Sequence, residues 1–258
     1  MMAWKAMTPR IGLLRLLTLA AALALASPSP GQAQGVTEGD LEQFYSYGTP
    51  QQPSETWRLA FGGRIYDHWM ETLHRDAPDA EHPGYPRGGP AEDGATWRCV
   101  SCHGWNHDGV AGAGGGIRQM ASATPEAIVA VIRDGRHGYT PDMIPDAAAE
   151  ALALYVAKGQ DNAAPVDEAT GAVEGNLDHG RAIYQNLCAI CHQFDGRAQI
   201  VGEPGDEPIL GWVAANKPWQ ALHKIRNGQP GADMPAMRAF DLATAIDLLA
   251  YLQTLPRE

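Results

Sequence analysis

Cysteine is scarce in this sequence: of 258 residues four are cysteine, at positions 99, 102, 188 and 191. None precedes Cys99, which excludes a lipid-modified cysteine near the start. Long apolar runs are missing as well. The one such run, Leu16 to Ala26, follows the cations Lys5, Arg10 and Arg15 and precedes Gly31-Gln32-Ala33. It is too short to span a bilayer. A basic start, an apolar run and a small-residue end together predict a secretory signal peptide over residues 1–33. The sequence therefore predicts an exported, periplasmic and soluble protein with no transmembrane segment after cleavage. Cations are also few, 19 Lys and Arg against 30 Asp and Glu, a formal charge of −11. Taking away the three cations of the first 33 residues leaves −14. That charge argues against nucleic acid or an anionic membrane as the main partner, and it favours docking on a basic patch of another protein.

All four cysteines fall in two short stretches, Cys99-Val100-Ser101-Cys102-His103 and Cys188-Ala189-Ile190-Cys191-His192. Both read C-x-x-C-H, the attachment signature of a c-type haem. Cysteines three apart on a helical turn present both sulfurs to the two vinyl groups of one porphyrin. The histidine beside the second sulfur then ligates the iron from the proximal side. A zinc ribbon or a thioredoxin-like pair also uses C-x-x-C, but each leaves the two following histidines unexplained. In an oxidising compartment four cysteines ordinarily suggest disulfides; attachment of two haem c groups would use every one.

Apolar spacing predicts a helix over about Glu55 to His74, and Thr124-Pro125-Glu126 predicts the start of another that Gly135 closes. A further helix is expected from about Ala147 to Lys158. Between them, Asp76 to Thr96 reads as a long Pro/Gly-rich surface loop, and Gly104 to Gly116 as a glycine-rich run. The second half repeats the first. Gly180 and Tyr184 match Gly62 and Tyr66. Pro218 and Ile225-Arg226-x-Gly228 match Pro125 and Ile132-Arg133-x-Gly135, and Asp233-Met234-Pro235 matches Asp142-Met143-x-Pro145. Tyr184 stands four residues before its cysteine and Tyr66 stands 33 before, so the first half carries an insertion. The expected organisation is a first domain at 34–160 with an N-terminal extension and that insertion, an acidic linker at 161–176 and a second domain at 177–258.

The sixth ligand decides the chemistry. A haem with two protein ligands passes electrons, whereas an open iron binds or activates a small molecule. Met143 and Met234 follow their histidines at matched distances beside a proline, and thioether sulfur favours reduced iron. They are the candidate distal ligands. Met120 and then His137 are substitutes in the first half, and Met237 rivals Met234 in the second. His68, His74, His82, His107, His179 and His223 read as core or surface residues. Arg133 and Arg226 are candidate partners of haem propionates, and Trp97 and Trp105 are expected to pack on the first haem.

With these motifs the chain resembles the class I cytochromes c, in a di-haem tandem form, over nearly all of its length beyond the leader. The resemblance implies an all-α fold of two domains, each enclosing one covalent haem. By that likeness Cys99, Cys102, His103 and Met143 serve the first haem, and Cys188, Cys191, His192 and Met234 the second. Many relatives orient the proximal imidazole with a proline carbonyl soon after it. Pro204 stands ready for this in the second half, but Gly104 to Gly116 contains no proline. The leading reading is an electron carrier between a dehydrogenase and an oxidase or another cytochrome, alone or as a subunit of a larger enzyme, with no residue assigned a catalytic role. The alternatives are a catalytic di-haem oxidoreductase, thiosulfate dehydrogenase-like or peroxidase-like, and a haem-bearing structural subunit. The thiosulfate dehydrogenase-like form is disfavoured because such relatives use a cysteine ligand and no spare cysteine exists here, and the peroxidase-like form because Met143 and Met234 argue against an open iron.

Overall fold

In the computed structural model, which describes residues 53–202 and 209–258, Ser54 accepts a hydrogen bond from Trp57 N–H and starts helix α1, Glu55–Leu73. The signal peptide expected at 1–33 and Pro204 lie outside the described residues. The remaining helices are α2 (Cys99–His103), α3 (Pro125–Arg133), α4 (Asp146–Lys158), α5 (Leu177–Ile183), α6 (Ala189–His192), α7 (Leu210–Asn216), α8 (Pro218–Asn227) and α9 (Leu242–Leu252). Thr124 caps α3, as its sequence predicts, but Asp134 rather than Gly135 ends it. Among the described residues one sheet breaks the all-helical expectation, a two-residue antiparallel ladder of β1 (Gly109–Val110) and β2 (Gly114–Gly115) in the glycine-rich run. Gly109, at φ 93°, allows the two backbones this approach; a Cβ there would lie 2.4 Å from the Gly114 oxygen.

The two halves repeat one packing unit. α1 lies on α4 and α5 on α9, each pair crossing at a glycine. Tyr66 packs 5.4 Å from Tyr155 at 46°, and Tyr184 packs 5.5 Å from Tyr251 at 50°. Each half gathers its own hydrophobic core. One is built on Ile65, Tyr66, Trp69, Leu152 and Tyr155, the other on Tyr184, Leu222, Ile225, Leu248 and Leu249. All described residues nevertheless belong to one compact unit. In the stretch expected as a linker, Asp161 pairs with Arg226 and Arg238, and Val173 N–H donates to Gln253.

α1 also packs against α8, and this contact between the halves is polar and buried. His107 bonds to Asn162 Oδ1 and to the Tyr155 hydroxyl, and that hydroxyl meets His223 Nδ1 at 3.1 Å. His223 Nε2 donates to the Gly63 carbonyl at 2.9 Å. Burial pushes His107 down to about 4, with Arg118 adding to the effect and Asn162 and Asp108 opposing it. Burial, Lys224, His107 and Arg238 push His223 down as well. Both histidines are therefore neutral when folded and charge readily when unfolded. Their contribution is intact above the ordinary value of 6.5 and is lost as pH falls toward 4. At about 1.4 kcal/mol per pH unit, His107 alone accounts for about 3 kcal/mol across that window. Urea midpoints measured from pH 7.5 to 4.5 should fall steadily below 6.5; a flat profile there refutes the assignment.

Candidate functional site

Both C-x-x-C-H stretches fold as short helical turns, and each is approached differently. In the second half α5 runs through a π-helical turn, Tyr184–Cys188, directly into α6. In the first half α1 continues past Tyr66, breaks at His68 (φ −155°, ψ 83°), and the insertion returns the chain to Cys99. The insertion is a largely exposed loop that its few buried residues tie down. Trp97 Nε1 donates to Ala80 O, His82 N–H donates to Thr96 Oγ1, and Trp69 Nε1 and the Tyr139 hydroxyl both donate to Trp97 O. Arg98 Nε donates to the Asp67 carbonyl beside the break in α1.

One tyrosine contact recurs beneath both motifs. The Tyr66 hydroxyl donates to Gly104 O at 2.7 Å and the Tyr184 hydroxyl donates to Gln193 O at 2.5 Å, in each case the residue after the motif histidine. Both residues are left-handed and extended, Gly104 at φ 73°, ψ 165° and Gln193 at φ 57°, ψ 175°. Glycine accepts that conformation without cost; glutamine is strained in it.

The donor set suits a covalent haem. Burial pushes the Cys99 thiol up to about 12 and the Cys188 thiol to about 11, and raises Cys102 too. These three thiols lack the lowered value that marks the reactive cysteine of a thioredoxin-like pair. Among the described residues no group of three or more His, Cys, Asp or Glu is gathered to hold a metal ion, so the two cysteine pairs do not converge as a zinc ribbon requires. His103 Nδ1 faces the Gly115 carbonyl at 2.7 Å and donates to it, which leaves Nε2 as the nitrogen with a lone pair to offer. This β2 carbonyl meets the motif histidine in a half whose glycine-rich run has no proline. Burial lowers both His103 and His192, in the direction that favours the neutral imidazole. His192 Nδ1 is buried with no hydrogen-bond partner among the described residues. Leu187, Ile190, Phe194 and Ile200 around the second motif are exposed, Ile190 at 81% and Ile200 at 90%. An orphaned ring nitrogen within so much uncovered apolar surface fits a group that covers this face.

Of the distal candidates, Met237 is buried in the second core, whereas Met234 is half-buried outside it. Met143 is half-buried beside the first core, as is Met120. Met143 lines an open cleft of about 350 Å³ with Trp69, Arg75, Asp76, Pro78, Trp97 and Asp142. Arg133 and Arg226 hold the distal loops. Arg133 donates to Tyr139 O and Ile144 O and pairs with Asp146, and Arg226 donates to Met237 O and Phe240 O. Their guanidinium groups are thus engaged by backbone carbonyls. Trp105 packs edge-on to His223, 5.0 Å away in the other half, under the Lys224 ammonium. His82, read from the sequence as a core or surface residue, is buried; its Nδ1 accepts from Gly84 N–H and its Nε2 donates to His137 O at 2.8 Å.

The family model described as cytochrome c oxidase, cbb3-type, subunit III matches residues 94–156 and again 175–252. None of the curated proteins matches the chain. Each matched stretch contains one C-x-x-C-H motif, one arginine-held loop and one closing helix. Among the described residues no helix is long and apolar enough to cross a membrane.

Proposed function

Because this chain belongs to the cytochrome c family, we propose that it is a periplasmic di-haem cytochrome that passes electrons between a dehydrogenase and a downstream oxidase or cytochrome. The observation that carries this reading is the duplicated cradle, in which Tyr66 and Tyr184 each bond to the backbone just after a motif histidine. Cys99, Cys102 and His103 hold the first haem, and Cys188, Cys191 and His192 the second. Bound there, a haem c supplies a one-electron centre whose iron alternates between ferric and ferrous states. Gly115 aims His103, and burial lowers its affinity for a proton, so its Nε2 would be available to hold the haem iron. Met234, on the loop that Arg226 holds, would supply the second haem with a soft sulfur ligand, which favours the reduced state.

The buried contact between α1 and α8 supports a fixed geometry between the two centres, as a short relay needs. Acidic charge overall suits docking on a basic patch of a redox partner.

Haem content and carbon monoxide binding test the reading together. The purified protein should hold two covalent haems per chain. The double variants Cys99→Ala/Cys102→Ala and Cys188→Ala/Cys191→Ala should each hold one. Neither iron of the reduced protein should take up carbon monoxide. A single haem in the unaltered protein would end the di-haem reading. Ready carbon monoxide binding at either iron would move the assignment to a catalytic di-haem oxidoreductase.

A further inference from the structure

The similarity of Asp142-Met143-x-Pro145 to Asp233-Met234-Pro235 sets Met143 against Met234. The hydrogen bonds set a different register. Tyr139 N–H donates to Ile132 O, and Met237 N–H donates to Ile225 O, where Ile132 and Ile225 are the matched residues of α3 and α8. Tyr139 O and Met237 O are also the carbonyls held by Arg133 and Arg226, and both side chains are buried. Tyr139 is therefore the counterpart of Met237. Met234 lies between Gly228 and Met237, so its counterpart lies between Gly135 and Tyr139. That interval holds Arg136, His137 and Gly138. His137 alone among them carries a nitrogen suited to iron. Met143 comes after Tyr139, in the stretch that corresponds to the approach to α9.

The side-chain geometry agrees. The His103 and His137 ring centres are 6.2 Å apart with planes inclined by 32°. A first-row metal bonds imidazole nitrogen at about 2 Å and the ring centre lies about 1.1 Å further, so two imidazoles on opposite sides of one metal have centres about 6 Å apart. Both planes then contain the bonding axis and are free to twist about it. Ligating histidines characteristically donate their other ring N–H to a carbonyl or carboxylate. His103 Nδ1 has the Gly115 carbonyl, and His137 Nδ1 faces Asp134 Oδ1 at 3.4 Å. The backbone of His137 is fixed on both sides: its N–H donates to Asp134 Oδ1, and its carbonyl accepts from His82 of the insertion. The cleft beside Met143 is lined by the end of α1 and by the insertion, and by none of the three motif residues.

We propose that His137 Nε2, rather than Met143, is the distal ligand of the first haem, so that one chain carries a bis-histidine centre and a histidine–methionine centre. This rests on the reading that the first motif holds a haem. A thioether ligand raises the potential, so the first haem is the lower of the two and electrons run from it to the second. His82 makes the insertion a clamp on that ligand.

The test uses the full haem-loaded protein, with its haem count fixed first from the denatured spectrum. The methionine-to-iron charge-transfer band of the oxidised form should have the intensity of one haem, not two. Met143→Leu should leave it unchanged, and Met234→Leu should remove it. His137→Ala should keep the band and open one iron to carbon monoxide after reduction. A band of two-haem intensity that Met143→Leu halves overturns the proposal, whether or not the His137 variant folds. A count below two haems per chain overturns the reading beneath it, and the ligand assignment falls with it.

Discussion

Gly180→Val should unfold the second half of the protein, and Gly62→Val the first. A Cβ on Gly180 would lie 2.0 Å from the Asp247 carbonyl oxygen, 2.6 Å from its carbon and 2.9 Å from Tyr251 Cβ. On Gly62 the same atom would lie 2.0 Å from Ala151 O and 2.8 Å from Tyr155 Cβ. The obstructing atoms are helix backbone, which cannot rotate away, so α5 and α9, or α1 and α4, must separate along their length. Overpacking that only displaces side chains costs about 1–3 kcal/mol. Parting a helix pair costs more, because it also loosens Tyr184 and Tyr66, whose hydroxyls fix the backbone after each motif. Against a total stability of about 5–15 kcal/mol, a loss of more than about 4 kcal/mol removes most of it. Chemical unfolding followed by circular dichroism should show this, with Gly135→Ala as the control. Nothing lies within 4 Å of a Cβ at Gly135, and its φ is not left-handed, so that change should be neutral or stabilise by about 0.5 kcal/mol. If Gly180→Val melts with the unaltered protein, the close crossing is not what requires glycine there.

These two glycines also explain why the duplication could be read in the sequence. A crossing that admits no Cβ, with a tyrosine one turn later reaching the motif backbone, constrains both halves to the same spacing. Ile-Arg-x-Gly recurs for a similar reason, since Arg133 and Arg226 each staple a distal loop. The register within that loop was not legible. Between Gly135 and Tyr139 the first loop has three residues, and between Gly228 and Met237 the second has eight, so the Met-Pro likeness pairs Met143 with Met234 whereas the backbone hydrogen bonds pair Tyr139 with Met237. Only the backbone hydrogen bonds to Ile132 and Ile225 reveal the shift. The insertion is the largely exposed, irregular loop its composition predicts, with local exceptions. Proline, glycine and charge mark irregular backbone, and irregular backbone reads as surface, yet His82, Thr96 and Trp97 within and beside it are buried. The contact between the halves has no pattern at all: Asp67, Lys224, Asn227 and Arg238 are scattered, and nothing periodic brings them together.

Asp67→Ala should be the most damaging substitution at that contact. The carboxylate is fully buried; Arg98 meets Oδ1 at 2.8 Å and Lys224 meets Oδ2. Arg98 immediately precedes Cys99, and Lys224 projects from α8 of the other half, so one side chain ties α1, the first motif and the second half together. Burying three charged groups is costly in itself, and exchanging all of them for well-packed apolar residues can be neutral. Removing only the anion is different. It leaves two cations facing each other across the space it filled, with side chains only 11% and 16% exposed. Breaking a buried pair from one side costs about 3–5 kcal/mol. Asp67→Asn should lose less, since an amide oxygen still accepts from one cation. In a double-mutant cycle, adding Lys224→Met to Asp67→Ala should recover part of the loss, because the second change removes the stranded charge. Urea midpoints of the four proteins decide this. If Asp67→Ala costs under 1 kcal/mol, or Lys224→Met recovers nothing, the carboxylate does not hold the halves together.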